Sequence, residues 1–227
     1  MKISFAGMDR PIEVAQNATS VLEVENTVLH GRICQSLISG MGQQAIEPYT
    51  LWDENENELR AASIFLPVAN PFGLPWDDRS LQAGWYDRIG EIYLEDDDVR
   101  CEVESLNARM NSRISELGFQ LHAEYSFAIE WDLIRQIKTL GFGVQRSASD
   151  SLLDNLIRFI SWTVDAGCLK TLLFVNLKTF LSKSDLVELY EQAFFLGSAL
   201  LLLENKRDDT SYEYEAKTRI DQRFIEY

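Results

Sequence analysis

The sequence predicts an α/β protein in which a helical hairpin is inserted between segments that build a largely parallel sheet. Three observations carry this. TLLFVN (171–176) and ALLLLEN (199–205) are apolar without alternation, the pattern of strands buried on both faces. Segments of helical period flank them, so helix and strand alternate along the second half of the chain. Between 78 and 117 the apolar period is helical throughout.

From the N-terminus, KISFAG (2–7), PIEV (11–14) and SVLEVEN (20–26) alternate with period two. Asp9-Arg10-Pro11 and Gln16-Asn17 break the alternation. VLHGRICQSLISG (28–40) has helical spacing and stops at Gly40, and YTLW (49–52) and ASIFLPV (62–68) read as strands separated by the acidic turn DENENE. Pro67, Pro71 and Pro75, with Gly73, close this part.

From Ser80 onward, Leu81, Trp85, Ile89 and Ile92 form one helical stripe. Val99, Val103, Leu106, Met110, Ile114 and Leu117 then occupy one narrow face of a second helix. The acidic EDDD (95–98) stands at its start, where carboxylates favour the helix dipole. Such a hairpin has an apolar face that needs a cover.

FQLHAEYSF (119–127) is predicted as a strand, EWDLIRQIKTLG (130–141) as a helix, and FGVQ (142–145) as a further strand. SASDSLLDNLIRFISWTVDAG (147–167) reads as a helix ending at Gly167, and SKSDLVELYEQAFFLG (182–197) as one with a Ser-x-x-Asp start. The expected division is a head of 1–77 and 118–227 and an arm of 78–117, with the boundary open between 118 and 145.

With 227 residues, 46% hydrophobic, the chain can bury one domain, or one domain and a subdomain. MKISFAGMDR lacks the basic–apolar–small order of a signal peptide, and the longest apolar run, AFFLGSALLLL (193–203), is too short to span a bilayer. Cys34, Cys101 and Cys168 are odd in number and widely separated, so they read as buried thiols in a reducing compartment. A cytoplasmic location is expected.

The formal net charge is −15, which taken alone argues against nucleic acid. Residues 1–76 hold 4 basic and 9 acidic groups, 77–116 hold 5 and 11, and 117–227 hold 12 and 16. Because no third is basic, any polyanion site must be a local patch made by geometry or by assembly.

No glycine is followed by Lys, so the phosphate-cradling P-loop is missing. GMGQQA (40–45) and GFGVQR (141–146) lack the third glycine of a dinucleotide fingerprint. Asn176 and Glu204 end the two apolar strands, where sites gather in α/β sheets; capping of the strand ends is the preferred reading. His30 and His122 have no zinc spacing, Glu215-Ala-Lys217 is too short to identify a nuclease, and Gly-x-Ser-x-Gly is absent.

The arginines of the hairpin are more informative. Arg100 has Asp96, Asp97 and Glu104 within one turn, which suits a solvated ion-pair network. Arg109 has no acid at three or four positions, and Arg113 has Arg109 behind it and only Glu116 ahead. Both lie on one flank of the apolar stripe, a like-charge arrangement that a phosphate backbone would relieve. Arg88 lies almost within the stripe of its own helix, and Arg79 begins the hairpin. For these side chains an internal ion pair and an outside contact both stay open.

LLFVNLKTFLSKSDLVELYEQAFFLGSALLLLEN (172–205) resembles the type II-A CRISPR-associated spacer-acquisition protein of the Csn-two (Csn2) family. KISFAGMDRPIEVAQNATSVLEVEN (2–26) and TRIDQRFIEY (218–227) are similar to that family's ends. The resemblance implies a degenerate P-loop-ATPase-like head, of the RecA and ABC-head kind, that has lost its nucleotide site. It also implies a helical arm and a homotetrameric ring with a basic hole that takes double-stranded DNA ends without reading sequence. The implied role is CRISPR adaptation, the acquisition of new spacers in antiviral defence, with the integrase pair and the RNA-guided effector nuclease and without catalysis.

The helix argument assigns the DNA contacts to Arg79, Arg88, Arg109 and Arg113, with Arg100 behind them. The resemblance further implies calcium on an acid-rich segment between arm and head. The matching LHAEYSFAIEWD (121–132) keeps Glu124, Glu130 and Asp132, few for an ion that takes six to eight oxygens. Phe127, Ile129 and Trp131 offer packing in its place. The alternative from another class is a divergent metal-dependent nuclease or nucleotide hydrolase on a RecA-like fold. It would use Glu204, Asn176 or the group Glu124, Glu130 and Asp132.

Overall fold

The computed structural model describes residues 1–8, 11–15, 18–127, 130–147 and 149–221. The breaks at Asp9-Arg10 and Gln16-Asn17, Ile129, and the closing QRFIEY (222–227) lie outside the described residues. In chain order the elements begin with β1 (Lys2–Phe5), β2 (Ile12–Glu13), β3 (Thr19–Val24), α1 (Thr27–Ser39), β4 (Tyr49–Trp52) and β5 (Glu58–Leu59). Next come α2 (Ala61–Ile64), β6 (Phe65–Val68), α3 (Arg79–Glu95), α4 (Asp97–Gly118), α5 (Leu133–Leu140) and α6 (Leu152–Asp165). The chain closes with β7 (Thr171–Val175), α7 (Lys183–Phe195), β8 (Leu200–Glu204) and β9 (Glu215–Ile220).

The first of two compact units comprises the described residues of 1–78, 146–164 and 168–221. Its main sheet has the order β6-β7-β8-β3-β9, and every pairing in it is parallel. β3 and β8 are buried at every position, as continuous apolar strands covered on both faces must be. A second, antiparallel sheet has the order β2-β1-β4-β5. Its Ile3, Tyr49 and Leu51 share one core with Ile33 and Leu37 of α1 and with Leu22 and Leu201 of the main sheet. The alternate residues Val21, Phe174 and Leu202 are equally buried, and α7 packs against β3. Each such side chain contributes about 1.5–3 kcal/mol by leaving water.

The helix ends follow the predicted chemistry. Asn26 Oδ1 accepts from the Leu29 amide at 3.0 Å to start α1, and Gly40 stops it at φ 64°. A Cβ on Gly40 would stand 3.0 Å from Ala62 Cα, so glycine is required there twice over. At α7, Ser182 and Asp185 form a reciprocal capping box.

Four sequence expectations change. The strand expected at 62–68 begins only at Phe65, because Ala61–Ile64 form the short helix α2. Residues 119–127 form turns and irregular chain instead of a strand, with Phe119, Leu121, Tyr125 and Phe127 exposed. The alternation is present, but a strand also needs a neighbour to bond to, and none adjoins it among the described residues. FGVQ (142–145) is likewise not a strand; Phe142 stacks on Trp85 at 5.9 Å instead. The helix expected from 147 begins at Leu152, because Ser147, Asp150, Ser151 and Asp154 are engaged in turn and cap hydrogen bonds. Two strands were not anticipated: the two-residue β5, which closes the acidic DENENE turn, and β9, since EAKTRI carries little apolar character.

The second unit comprises the described residues of Arg79–Gln145 with Asp165–Gly167. The segment left open between 118 and 145 thus groups with the helices. α3 packs against both α4 and α5. Tyr93 meets Trp131 at 6.0 Å, and Lys138 Nζ sits 4.4 Å from the centre of the Tyr86 ring. Gly84 has no room for a Cβ, which would strike the Ala166 carbonyl oxygen. The α4 stripe is left largely uncovered: Val99, Leu106, Met110, Ile114 and Leu117 are 45–60% exposed.

Candidate nucleic-acid interface and the charged strand ends

All five candidate arginines lie on α3 and α4. Arg79, the first residue of α3, is exposed and makes no ion pair among the described residues. Arg88 is exposed and pairs with Glu91 at 3.1 Å. Arg100 pairs with Asp97 at 2.6 Å and donates to the Leu94 carbonyl at 3.3 Å, which ties the turn between α3 and α4. Arg113 donates to both Glu116 oxygens at 2.8 and 3.0 Å, yet its side chain is 80% exposed. Arg109 is exposed and, among the described residues, has no ion-pair partner. Arg109 and Arg113 therefore share a solvent-facing flank beside an uncovered apolar stripe. Exposed pairs such as Arg88–Glu91 and Arg113–Glu116 contribute at most about 1 kcal/mol, so a phosphate can replace the carboxylate at little cost.

In the first unit, the carboxyl ends of four parallel strands form a transverse row. Register aligns Arg219 of β9 with Glu23 of β3, and Glu23 with Glu204 of β8. Asn176 follows the end of β7. Arg219 Nε donates to Glu23 Oε2 at 2.8 Å, and Glu204 Oε1 accepts from the Lys178 amide at 3.0 Å. Asn176, at φ 52°, accepts through Oδ1 from the Asn205 amide at 3.1 Å. Lys178 Nζ reaches Glu215 at 2.5 Å and Asp208 at 3.3 Å. Lys217 Nζ lies 3.2 Å from Glu215 and 3.5 Å from Glu23, and donates to the Asp208 and Thr210 carbonyls at 2.6 and 2.9 Å.

The protonation states follow from burial and partners. Burial pushes the Glu204 carboxyl up to about 7; the Lys178 amide opposes this and Glu23 adds to it. Burial alone lowers the Lys178 ammonium, but Glu215 and Asp208 reverse this and hold it above its ordinary value. Burial acts to raise Asp208, but Thr210 and Lys178 hold it below the usual carboxylate range. Burial, reinforced by Glu215, raises the Tyr190 hydroxyl. α/β sheets commonly hold ligands at this edge. Here Asn176 and Glu204 are engaged in fastening the loops after β7 and β8, and Glu215 and Lys217 belong to the same internal network.

The thiols differ in exposure: Cys34 is buried, Cys168 half-buried and Cys101 exposed, so the expectation of three buried thiols fails on α4. Cys34 Sγ lies 3.5 Å from His30 Nε2. Burial, with Glu204 adding to it, pushes that thiol up to about 12, while burial lowers His30. The carboxylates Glu124, Glu130 and Asp132 do not fit calcium. Asp132 caps α5, accepting from the Arg135 amide at 2.7 Å, and all three are exposed. Among the described residues no three His, Cys, Asp or Glu side chains are grouped to hold a metal. Trp131 packs on Tyr93, whereas Phe127 is 50% exposed.

The fold defines a mixed α/β protein with a parallel sheet and a helical unit bearing exposed arginines. The family model described as CRISPR-associated protein (Cas_Csn2) matches residues 44–221. The chain belongs to this Csn2 family and has a CRISPR-associated role. CRISPR-associated protein Csn2 of Streptococcus agalactiae is 25% identical over 210 residues, covering 91% of this chain and 90% of that protein. The fold is similar to that in the crystal structure of Stu0660 of Streptococcus thermophilus, with a TM-score of 0.56 and 15% identity. That likeness covers 97% of this chain and 74% of the other. Among the described residues no helix is long and apolar enough to cross a membrane.

Sequence reasoning missed the roles of Lys178, Asp208 and Arg219. A signal existed in EAKTRI, where Glu215, Lys217 and Arg219 fall on one face of a strand. It was hidden because the partner, Glu23, lies 196 residues from Arg219.

Proposed function

We propose that this chain binds the ends of double-stranded DNA without reading sequence, as a homotetrameric ring that serves spacer acquisition in a type II-A CRISPR system. It acts beside the integrase pair and the effector nuclease, and it binds without catalysis. Family membership supports the setting, and the surface of α4 is the observation that carries the reading. That helix presents an uncovered apolar stripe suited to assembly, flanked by Arg109 and Arg113, suited to phosphate. A single chain of net charge −15 repels DNA, whereas four copies gather their exposed arginines around one hole. The head is of degenerate P-loop kind and holds no nucleotide. In support, β3 passes into α1 across Glu25 and Asn26 alone, and Asn26 is the helix cap, which leaves no glycine turn to cradle phosphate.

The test combines light scattering on the purified protein with gel shifts on linear and circular duplex in the presence of divalent metal. A tetramer that shifts linear duplex without cutting it is expected, with each phosphate contact adding a salt slope of about −0.9. Arg109→Glu with Arg113→Glu abolishes the shift and leaves the tetramer intact. Metal-dependent cleavage would favour the nuclease alternative, and a monomer that ignores duplex would end the proposal.

A further inference from the structure

β9 is one edge of the main sheet, and no strand adjoins its outer side among the described residues. The Thr19 amide donates to the Tyr214 carbonyl at 2.7 Å, and the Glu25 amide to the Ile220 carbonyl at 3.0 Å. With the parallel register between them, the even-numbered residues of β9 bond to β3. The N–H and C=O groups of Glu215, Lys217 and Arg219 therefore point outward, and none has a hydrogen-bond partner among the described residues. Such a row is a template for another chain, and folded proteins blunt it with proline or with outward charges. The opposite edge, β6, carries Pro67. β9 has no proline, and its cations turn inward: Lys217 donates to the Asp208 and Thr210 carbonyls, and Arg219 to Glu23.

Beside the start of β9 the surface is aromatic. Phe195 is 73% exposed and Phe194 37%, and Tyr214 stacks on Phe194 with ring centres 4.2 Å apart. Tyr214 has a left-handed φ of 60°, held by this stacking and by the hydrogen bond from Thr19. Glu188 and Glu191 stand two turns and one turn before Phe195 on α7, and Glu213 adjoins Tyr214. None of these three carboxylates makes an ion pair among the described residues. An acidic rim repels a phosphate backbone and complements a cationic peptide.

We propose that the β9 edge and the adjoining aromatic face bind an extended segment of a partner protein in which apolar side chains alternate with Lys or Arg. The segment adds a strand to the main sheet. Its backbone bonds to Glu215, Lys217 and Arg219, its apolar side chains cover Phe194 and Phe195, and its cations meet the three carboxylates. The site is separate from the arginines of α3 and α4 and does not depend on assembly.

The test uses the full chain and a synthetic octapeptide, capped at both ends, that alternates valine or phenylalanine with lysine. Fluorescence anisotropy should show saturable binding as the concentration is raised into the millimolar range. Amide exchange should show new protection at Lys217 and Arg219. Methylating one alternate set of peptide nitrogens should weaken binding about tenfold or more, and methylating the other set should leave it unchanged. Phe195→Ala, at an exposed position, should weaken binding while the fold holds, and a peptide with glutamate in place of lysine should not bind. Absence of saturable binding, indifference to methylation and to Phe195→Ala, or an equal grip on the glutamate peptide overturns the inference. Two further outcomes also overturn it: a fall in assembly mass by light scattering in Phe195→Ala assigns the edge to a second copy, and a lost duplex shift in that variant assigns the face to nucleic acid. Failure of peptide binding alone leaves the ring proposal standing, since that proposal is read from the Arg109 and Arg113 variants.

Discussion

Replacing Glu204 with glutamine should stabilise the protein at neutral pH. The carboxyl is 2% exposed and its register neighbour across the sheet is Glu23, so ionising it places two negative charges side by side in the interior. The folded protein keeps the Glu204 proton up to about pH 7, whereas the unfolded chain releases it near its ordinary value of 4.5. Between these values the folded state binds more protons than the unfolded one, so stability falls as pH rises through the window. Below about 4.5 the penalty is absent, and above about 7 it is complete. At 1.36 kcal/mol per unit the full window corresponds to about 3 kcal/mol. The Gln carbonyl oxygen still accepts from the Lys178 amide, and the side chain carries no charge at any pH. Urea unfolding across the window, with amide exchange of β8 reporting the first unit alone, should show Glu204→Gln more stable by about 1–3 kcal/mol above pH 7. The gap should close toward pH 4.5. Glu204→Ala should fall about 1–3 kcal/mol below Glu204→Gln at every pH, because the buried Lys178 amide loses its acceptor. A Gln variant less stable than the parent above pH 7, or a gap that ignores pH, would refute the account of a buried, proton-holding strand end.

Ser182→Ala should destabilise the first unit by about 1 kcal/mol, seen as a lower urea midpoint, because the Asp185 amide loses its cap. Leu106→Glu with Ile114→Glu should convert the proposed assembly into a 26.0 kDa monomer by light scattering with helicity retained, since both side chains are exposed on α4. Raising salt from about 0.01 to 0.1 M shortens the reach of the acidic body from about 30 to 10 Å, so duplex association should speed up at first. Dissociation should accelerate throughout, and stopped-flow fluorescence separates the two rates.

The parallel sheet was legible because its evidence is local: TLLFVN and ALLLLEN carry their own burial in composition, and Gly40, Ser182 and Asp185 mark helix ends within one turn. The helix α4 was legible for the same reason, a stripe repeated over six of its residues. The false strands at 119–127 and 142–145 show the limit of local pattern. Alternation states which faces differ, while a strand exists only if a partner edge is free to bond. β9 escaped for the converse reason. Its Glu215, Lys217 and Arg219 look solvated in isolation, and they become half-buried only because Lys178, Glu23 and the 205–214 loop supply their partners. Of the candidate arginines, Arg109 and Arg113 were singled out by the scarcity of nearby acids on the same helix. Arg113 shows the limit of that rule, since its single available acid, Glu116, does pair with it.

The partition of cations explains how so acidic a chain can be read as a phosphate binder. Arg32, Arg158, Lys178, Lys217 and Arg219 are committed to ion pairs inside the first unit, where they offset carboxylates that folding removes from water. These groups contribute nothing to an outside polyanion. The cations left without a partner among the described residues include Arg79 on α3, Arg109 on α4, and Lys183 and Lys206 at the sheet edge. Each stands in a surplus of negative charge that solvent and salt screen within about 10 Å. Long-range attraction therefore cannot bring DNA to this protein, and any grip must come from contacts made at hydrogen-bond distance. Such contacts are few per chain, so under the proposed function they would hold a duplex only when several chains act on it together, and assembly would be a condition of binding.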